Sequence, residues 1–229
     1  MQNKLKNTIM RLLITACVPL ALFYTKIFGA RRYYLAAFVF ALFALLSVFL
    51  SFEKSKQNSL KLALTAVMCA LGIAGRVVFA AVPFFKPVGA VTILAGLSFG
   101  PRTGFLCGAL IMLISNFMFG QGPWTVFQML GFGIMGALSG LLFYKRERLC
   151  KPLILSVFGF LCYVLITGPI LDLSGIFAFS MGGKTSLYAT LLAGLPVNLT
   201  GGAATAFFLF VLSKPIISKL KRIINKYNI

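Results

Sequence analysis

The chain has 229 residues, 60% of them hydrophobic and only 11% charged, with 22 Lys+Arg against 3 Asp+Glu and no His. Soluble domains carry roughly 45–50% apolar and about 25% charged residues, so the composition excludes a water-soluble globular fold and points to a single bundle of membrane-spanning helices. The formal charge of +19 would suggest nucleic acid in a soluble protein. Here the basic residues sit between apolar runs, where they set topology and meet anionic lipid, and no nucleic-acid partner is expected.

A spanning helix needs about 20 mostly apolar residues. The first such run is Ile9 to Phe28, after the basic start Lys4 and Lys6. It lacks the small-x-small cleavage site of a signal peptide and reads as a retained span. Tyr33 to Phe52 is the second run, and residues 53–58 form a polar linker. Residues 1–52 therefore make two transmembrane helices without an assigned role. Residues 59–229 have a different texture, richer in Gly, Pro and isolated polar residues, both of the former being common in membrane helices. Their apolar runs are Leu60 to Pro83, Val88 to Phe99, Thr103 to Phe119, Trp124 to Tyr144, Pro152 to Leu171 and Leu187 to Leu212. The second is short for a span and either tilts little or continues through Gly100-Pro101. The expected fold is an all-α integral membrane protein, a six-helix bundle preceded by two additional helices. No internal repeat supports an inverted-repeat transporter.

With eight spans and both termini cytoplasmic, 16 of the Lys and Arg residues fall inside and 6 outside, as the positive-inside rule requires. The loop KIFGARRYY between the first two spans runs against the rule. The expected location is the cell membrane, with lipid as a contact.

Four polar clusters interrupt the six-run part. Arg76 and Lys86 flank GRVVFAAVPFFKP; SNFMFGQGPWTVFQM carries Asn116, Gln121, Trp124 and Gln128; Asp172 and Lys184 fall in the segment after the fifth run; Asn198 follows Pro196 in the last. The charge count places the first three clusters at the outer face. A charge within a span is costly and is usually functional or paired, but Arg76 can also snorkel to the headgroups. Lys86 reads as interfacial or ligand-touching, and Asp172 as a ligand contact or a partner of Lys184 or Arg76. Trp124, the single Trp, can anchor at an interface. In GQGPW it can also close, with Gln121, over a flat polar molecule by stacking and hydrogen bonding. Ala66, Ala70 and Ala74 recur every fourth residue, a spacing that lets a second helix approach closely.

Other chemistry is poorly supported. Without His there is no Ser/His/Asp arrangement, and three acidic residues leave no metal site and no hydrolase constellation. The five Cys form no close pair and match neither a disulfide framework nor a zinc site. GGKTS ends like a phosphate-binding loop, but Ala178 stands where that motif needs its first Gly.

From about Ser59 onward the chain resembles the substrate-binding S components of energy-coupling factor (ECF) vitamin transporters. The resemblance rests on six helices, on LALTAVMCAL with its alanine spacing, on GRVVFAAVPFFKPV and on SNFMFGQGPWTVFQM, the last associated with a subgroup linked to cobalamin or its precursors. It implies an ATP-driven importer in which this chain captures a vitamin or cofactor precursor at the outer face, cobalamin-type as the first expectation. Arg76, Lys86, Asn116, Gln121, Trp124, Gln128, Asp172 and Asn198 would form the site. Ala66, Ala70 and Ala74 would pack on the transmembrane coupling subunit. Two ATPase subunits would use ATP, and this chain would bind no cofactor and hydrolyse nothing. Two other classes compete: a membrane scaffold or assembly protein that binds no small ligand, and an ATP-independent facilitator.

Overall fold

The computed structural model describes residues 59–122, 124–179 and 187–227. The two spans expected over residues 1–52, the linker and Lys184 lie outside the described residues. Those described form helices α1 (Ser59–Val78), α2 (Val88–Phe99), α3 (Pro101–Phe119), α4 (Trp124–Phe143), α5 (Pro152–Cys162), α6 (Gly168–Phe179) and α7 (Leu187–Tyr227), with a short 3-10 turn at Glu147–Leu149. α5 and α6 are one rod joined by a π turn, Tyr163–Thr167, so there are six rods for six expected runs. Five are long and apolar enough to cross a membrane.

The exception, α2, is the centre of the bundle. Its 12 residues span only about 18 Å at 1.5 Å per residue. It is apolar on every side, and a helix of that kind belongs in an interior. Every residue of α2 except Ser98 is buried, and it packs on α1, α3, α4 and α7. It does not continue through the Gly-Pro break. Gly100 adopts φ 94°, left-handed backbone that favours glycine, and Pro101 opens α3 at the position where a missing N–H is harmless.

Glycines set the approach of α2, α3 and α4. A Cβ on Gly96 would lie 2.2 Å from the Gly136 carbonyl oxygen, and one on Gly136 would lie 2.2 Å from that of Gly104. Small residues allow such contacts where lipid gives helices no hydrophobic drive to associate. Ser139 of α4 donates to the Ile93 carbonyl of α2 at 3.0 Å, tying the two backbones together.

Two runs extend further than expected. The fifth rod continues past Leu171 to Phe179, which puts Asp172 inside a helix and not in the segment after it. Pro169 is accommodated because the preceding turn is wide, with the Gly168 N–H reaching the Tyr163 carbonyl. A regular turn would press the proline ring on the carbonyl four residues back. α7 runs past Leu212, through Pro215, to Tyr227, with Ile217 and Leu220 buried on one side of its basic extension.

The packing predicts that Gly136→Ala lowers thermal stability in detergent by about 1–3 kcal/mol, the usual cost of overpacking. Gly175→Ala, where an added Cβ meets nothing within 4 Å, leaves stability unchanged. Equal unfolding temperatures for both variants would contradict the close glycine contact.

Candidate functional site

The alternating helices bring the α1 and α3 C-termini and the α2, α4 and α7 N-termini to one end of the bundle, together with α6. A cavity of about 410 Å³ opens there. Arg76, Lys86, Gln128, Asp172 and Asn198 line it, with Ser174, Tyr163 and the apolar Phe84, Met112, Phe132 and Leu171. Five of the eight residues expected at the site therefore converge on one space. The size falls in the range of small-molecule sites, which are mostly apolar with a few placed polar groups.

Arg76 comes from the last turn of α1 and does not snorkel. One guanidinium nitrogen donates to Ser115 Oγ at 2.5 Å and Asn116 Oδ1 at 2.8 Å. The group also lies 4.7 Å from the centroid of the Phe119 ring, a cation–π distance. Among the described residues it forms no ion pair.

Asn116 lies behind the cavity wall, 1% exposed. Its oxygen accepts from Arg76, and its amide nitrogen donates to Thr125 Oγ1 at 2.9 Å and Gln128 Oε1 at 2.7 Å. Its hydrogen-bonding groups are thus used within the protein, so Asn116 positions Arg76 and Gln128 and does not line the space. Gln128 has its oxygen engaged and its amide nitrogen left for the cavity.

On the other wall, Asn198 Nδ2 donates to Asp172 Oδ2 at 2.7 Å. Two glycines make room for this pair. An added Cβ on Gly194 would lie 2.2 Å from Asp172 Oδ1, and one on Gly168 would lie 2.4 Å from the Asn198 amide carbon. Asp172 pairs with a neutral amide, and among the described residues it forms no ion pair with Arg76.

Lys86 lines the space, but its ammonium is committed to the backbone. It donates to the carbonyls of Phe79, Ala80 and Val82, which closes the chain after α1 in the manner of a cationic helix C-cap. Burial, and then the Arg76 charge, hold this amine below the usual lysine range.

Gln121 and Trp124 do not line the cavity. Gln121 is exposed; it donates to the Leu113 carbonyl at 2.9 Å and accepts from Thr125 Oγ1 at 2.9 Å. The Trp124 indole lies over Gly122, where an added Cβ would be 2.4 Å from the ring. Both shape the turn that starts α4. Ala66, Ala70 and Ala74 are all exposed on one face of α1.

Tyr163 was not foreseen. It sits in an unbroken apolar run, its ring edge-on to Phe132 at 5.9 Å between centroids. The sequence signal was Pro169: a proline inside a span distorts the turn before it, and π turns recur at functional sites.

Taken together, the fold and the cavity define a membrane-embedded small-molecule-binding protein. The family model of the ECF-type riboflavin transporter S component matches residues 56–221, and the chain belongs to that family. It is thus a substrate-binding membrane subunit of the ECF transporters, a family of transporter components. No curated protein and no solved structure matches it.

The network predicts that Asn116→Leu, which takes one hydrogen bond each from Arg76 and Thr125 and leaves Gln128 Oε1 without its partner, costs about 1–3 kcal/mol. Thermal unfolding in detergent checks it; an unchanged midpoint would show that Asn116 does not hold the arginine.

Proposed function

We propose that the cavity is the substrate site and that its ligand is a flat heterocyclic vitamin of flavin size, carrying hydrogen-bond acceptors toward Arg76 and Gln128 and donors toward Asp172. The observation that carries this reading is the convergence of Arg76, Gln128, Asp172 and Asn198 on one space of about 410 Å³. Phe132 and Tyr163 supply aromatic surface for a ring. The description of the matching family names riboflavin, whose size suits this volume. A cobalamin-type ligand, several times larger, is the alternative result of the same titration.

The end that carries the cavity is read as the outer one. Arg102, Lys145, Arg146, Arg148, Lys151, Lys214, Lys219, Lys221, Arg222 and Lys226 gather at the opposite end, and the positive-inside rule makes that end cytoplasmic. The exposed face of Ala66, Ala70 and Ala74 on α1 fits close approach by a helix of the coupling subunit. ATPase subunits drive delivery of the ligand inward.

Purified protein titrated with riboflavin, followed by quenching of flavin fluorescence, should give one saturable site per chain. Gln128→Ala and Asp172→Asn should each weaken it about 10- to 100-fold, the worth of a hydrogen bond involving a charged or desolvated group. Gln121→Ala, outside the cavity, should change it less. Saturable binding of cobalamin with none of riboflavin would overturn the ligand assignment. Unchanged affinity in both cavity variants would overturn the site. Ala70→Leu should block co-purification with the coupling subunit while leaving the titration intact; equal recovery would remove the alanine face from the interface.

A further inference from the structure

A second cavity, of about 190 Å³, lies at the opposite end of the bundle, between the turn after α4, the end of α2 and the C-terminal extension of α7. Three cations line it: Lys145 and Arg146 from the turn and Lys221 from α7. The one acid on its wall, Glu147, is engaged with Lys221 at 3.0 Å. Lys145 and Arg146 have no acidic partner among the described residues. The Arg146 guanidinium donates to the Leu142 carbonyl, at 3.4 Å.

The backbone at Lys145 is unusual. Its φ is 63°, in the left-handed region that residues with a Cβ seldom adopt. Strain of this kind persists where the surroundings enforce it and clusters at ligand clamps. The remaining wall mixes apolar side chains, Leu97, Phe143, Ile217 and Ile224, with the polar Ser98, Tyr144 and Asn225. Beside the cavity, Leu141 and Leu142 of α4 are exposed on the bundle surface. A cationic rim, a floor of mixed polar and apolar side chains and an adjacent apolar helix face match the three parts of an anionic phospholipid: phosphate ester, glycerol esters and acyl chains.

We propose that this cavity binds the phosphate ester of an anionic phospholipid headgroup, held by Lys145, Arg146 and Lys221. Basic pockets between membrane helices on the cytoplasmic side take such headgroups, each cation near the surface adding to the attraction. The site is independent of what the first cavity binds. It would clamp the turn after α4 to the α7 extension, two segments that the Lys221–Glu147 ion pair also links across the cavity.

The test uses purified full-length protein with phosphatidylglycerol, phosphatidylcholine or inorganic phosphate, read by native mass spectrometry and thermal unfolding. One tightly retained phosphatidylglycerol per chain is expected, with about tenfold weaker retention in the Lys145→Gln/Arg146→Gln double variant. Lys214→Gln/Arg222→Gln removes the same charge from exposed positions at the same end, outside the cavity, and should retain the lipid as the unaltered protein does. Equal losses in the two double variants, or equal retention of phosphatidylcholine, would overturn the proposal. If inorganic phosphate stabilises as well as phosphatidylglycerol and displaces it, the phosphate site stands and its natural source is a soluble phosphate ester. The lipid competition on the unaltered protein carries the test even if a variant fails to fold.

Discussion

The arrangement of this bundle turns on the guanidinium of Arg76, a charge placed within a membrane-embedded helix. A charge at that depth is tolerated only when it is hydrogen-bonded, paired or facing a polar cavity. Here Ser115 and Asn116 of α3 supply the hydrogen bonds and the Phe119 ring adds a cation–π contact. Asn116 then passes the constraint to α4 through Thr125 and Gln128. One arginine thereby fixes the relative positions of three helices at the end where the cavity opens.

Around that point the bundle removes side chains to let others in. Gly96, Gly104 and Gly136 bring α2, α3 and α4 to backbone contact, and Gly168 and Gly194 leave the space that Asn198 and Asp172 occupy. The short α2, buried at every residue but Ser98, is the post on which the longer helices lean. Phe84 and Lys86 of the α1–α2 connection and Val88 and Gly89 at the start of α2 line the cavity. The π turn before Pro169 brings Tyr163 to the same space.

The six rods were legible in the sequence because their apolar runs are long and their interruptions are Gly, Pro and charge. Charge counting also placed three of the four polar clusters at one face; Asn198 joined them only in the folded bundle. The roles within the clusters were not legible, since they depend on which polar atoms are already occupied. Asn116 and Lys86 look like ligand contacts in one dimension, yet their donors are spent on Thr125, Gln128 and backbone carbonyls. Gln121 and Trp124 stand out in GQGPW, but they shape the start of α4. Asp172 read as a residue beyond the helix, because the hydrophobic run ends at Leu171 while the hydrogen-bonded helix goes on. Tyr163 was hidden by apolar neighbours.

The two ends carry opposite chemistry. One gathers a cavity with an arginine and an aspartate that face the same space without pairing; the other gathers excess basic charge and the α7 extension. Mass spectrometry of the small molecules released on denaturing protein purified from native membranes shows what the cavity holds. One small heterocyclic molecule per chain is expected, and its loss from an Asp172→Asn/Gln128→Ala variant that remains folded. Protein that is folded, still bound to other ECF module subunits and free of any such molecule, or a molecule retained equally by the variant, would contradict it.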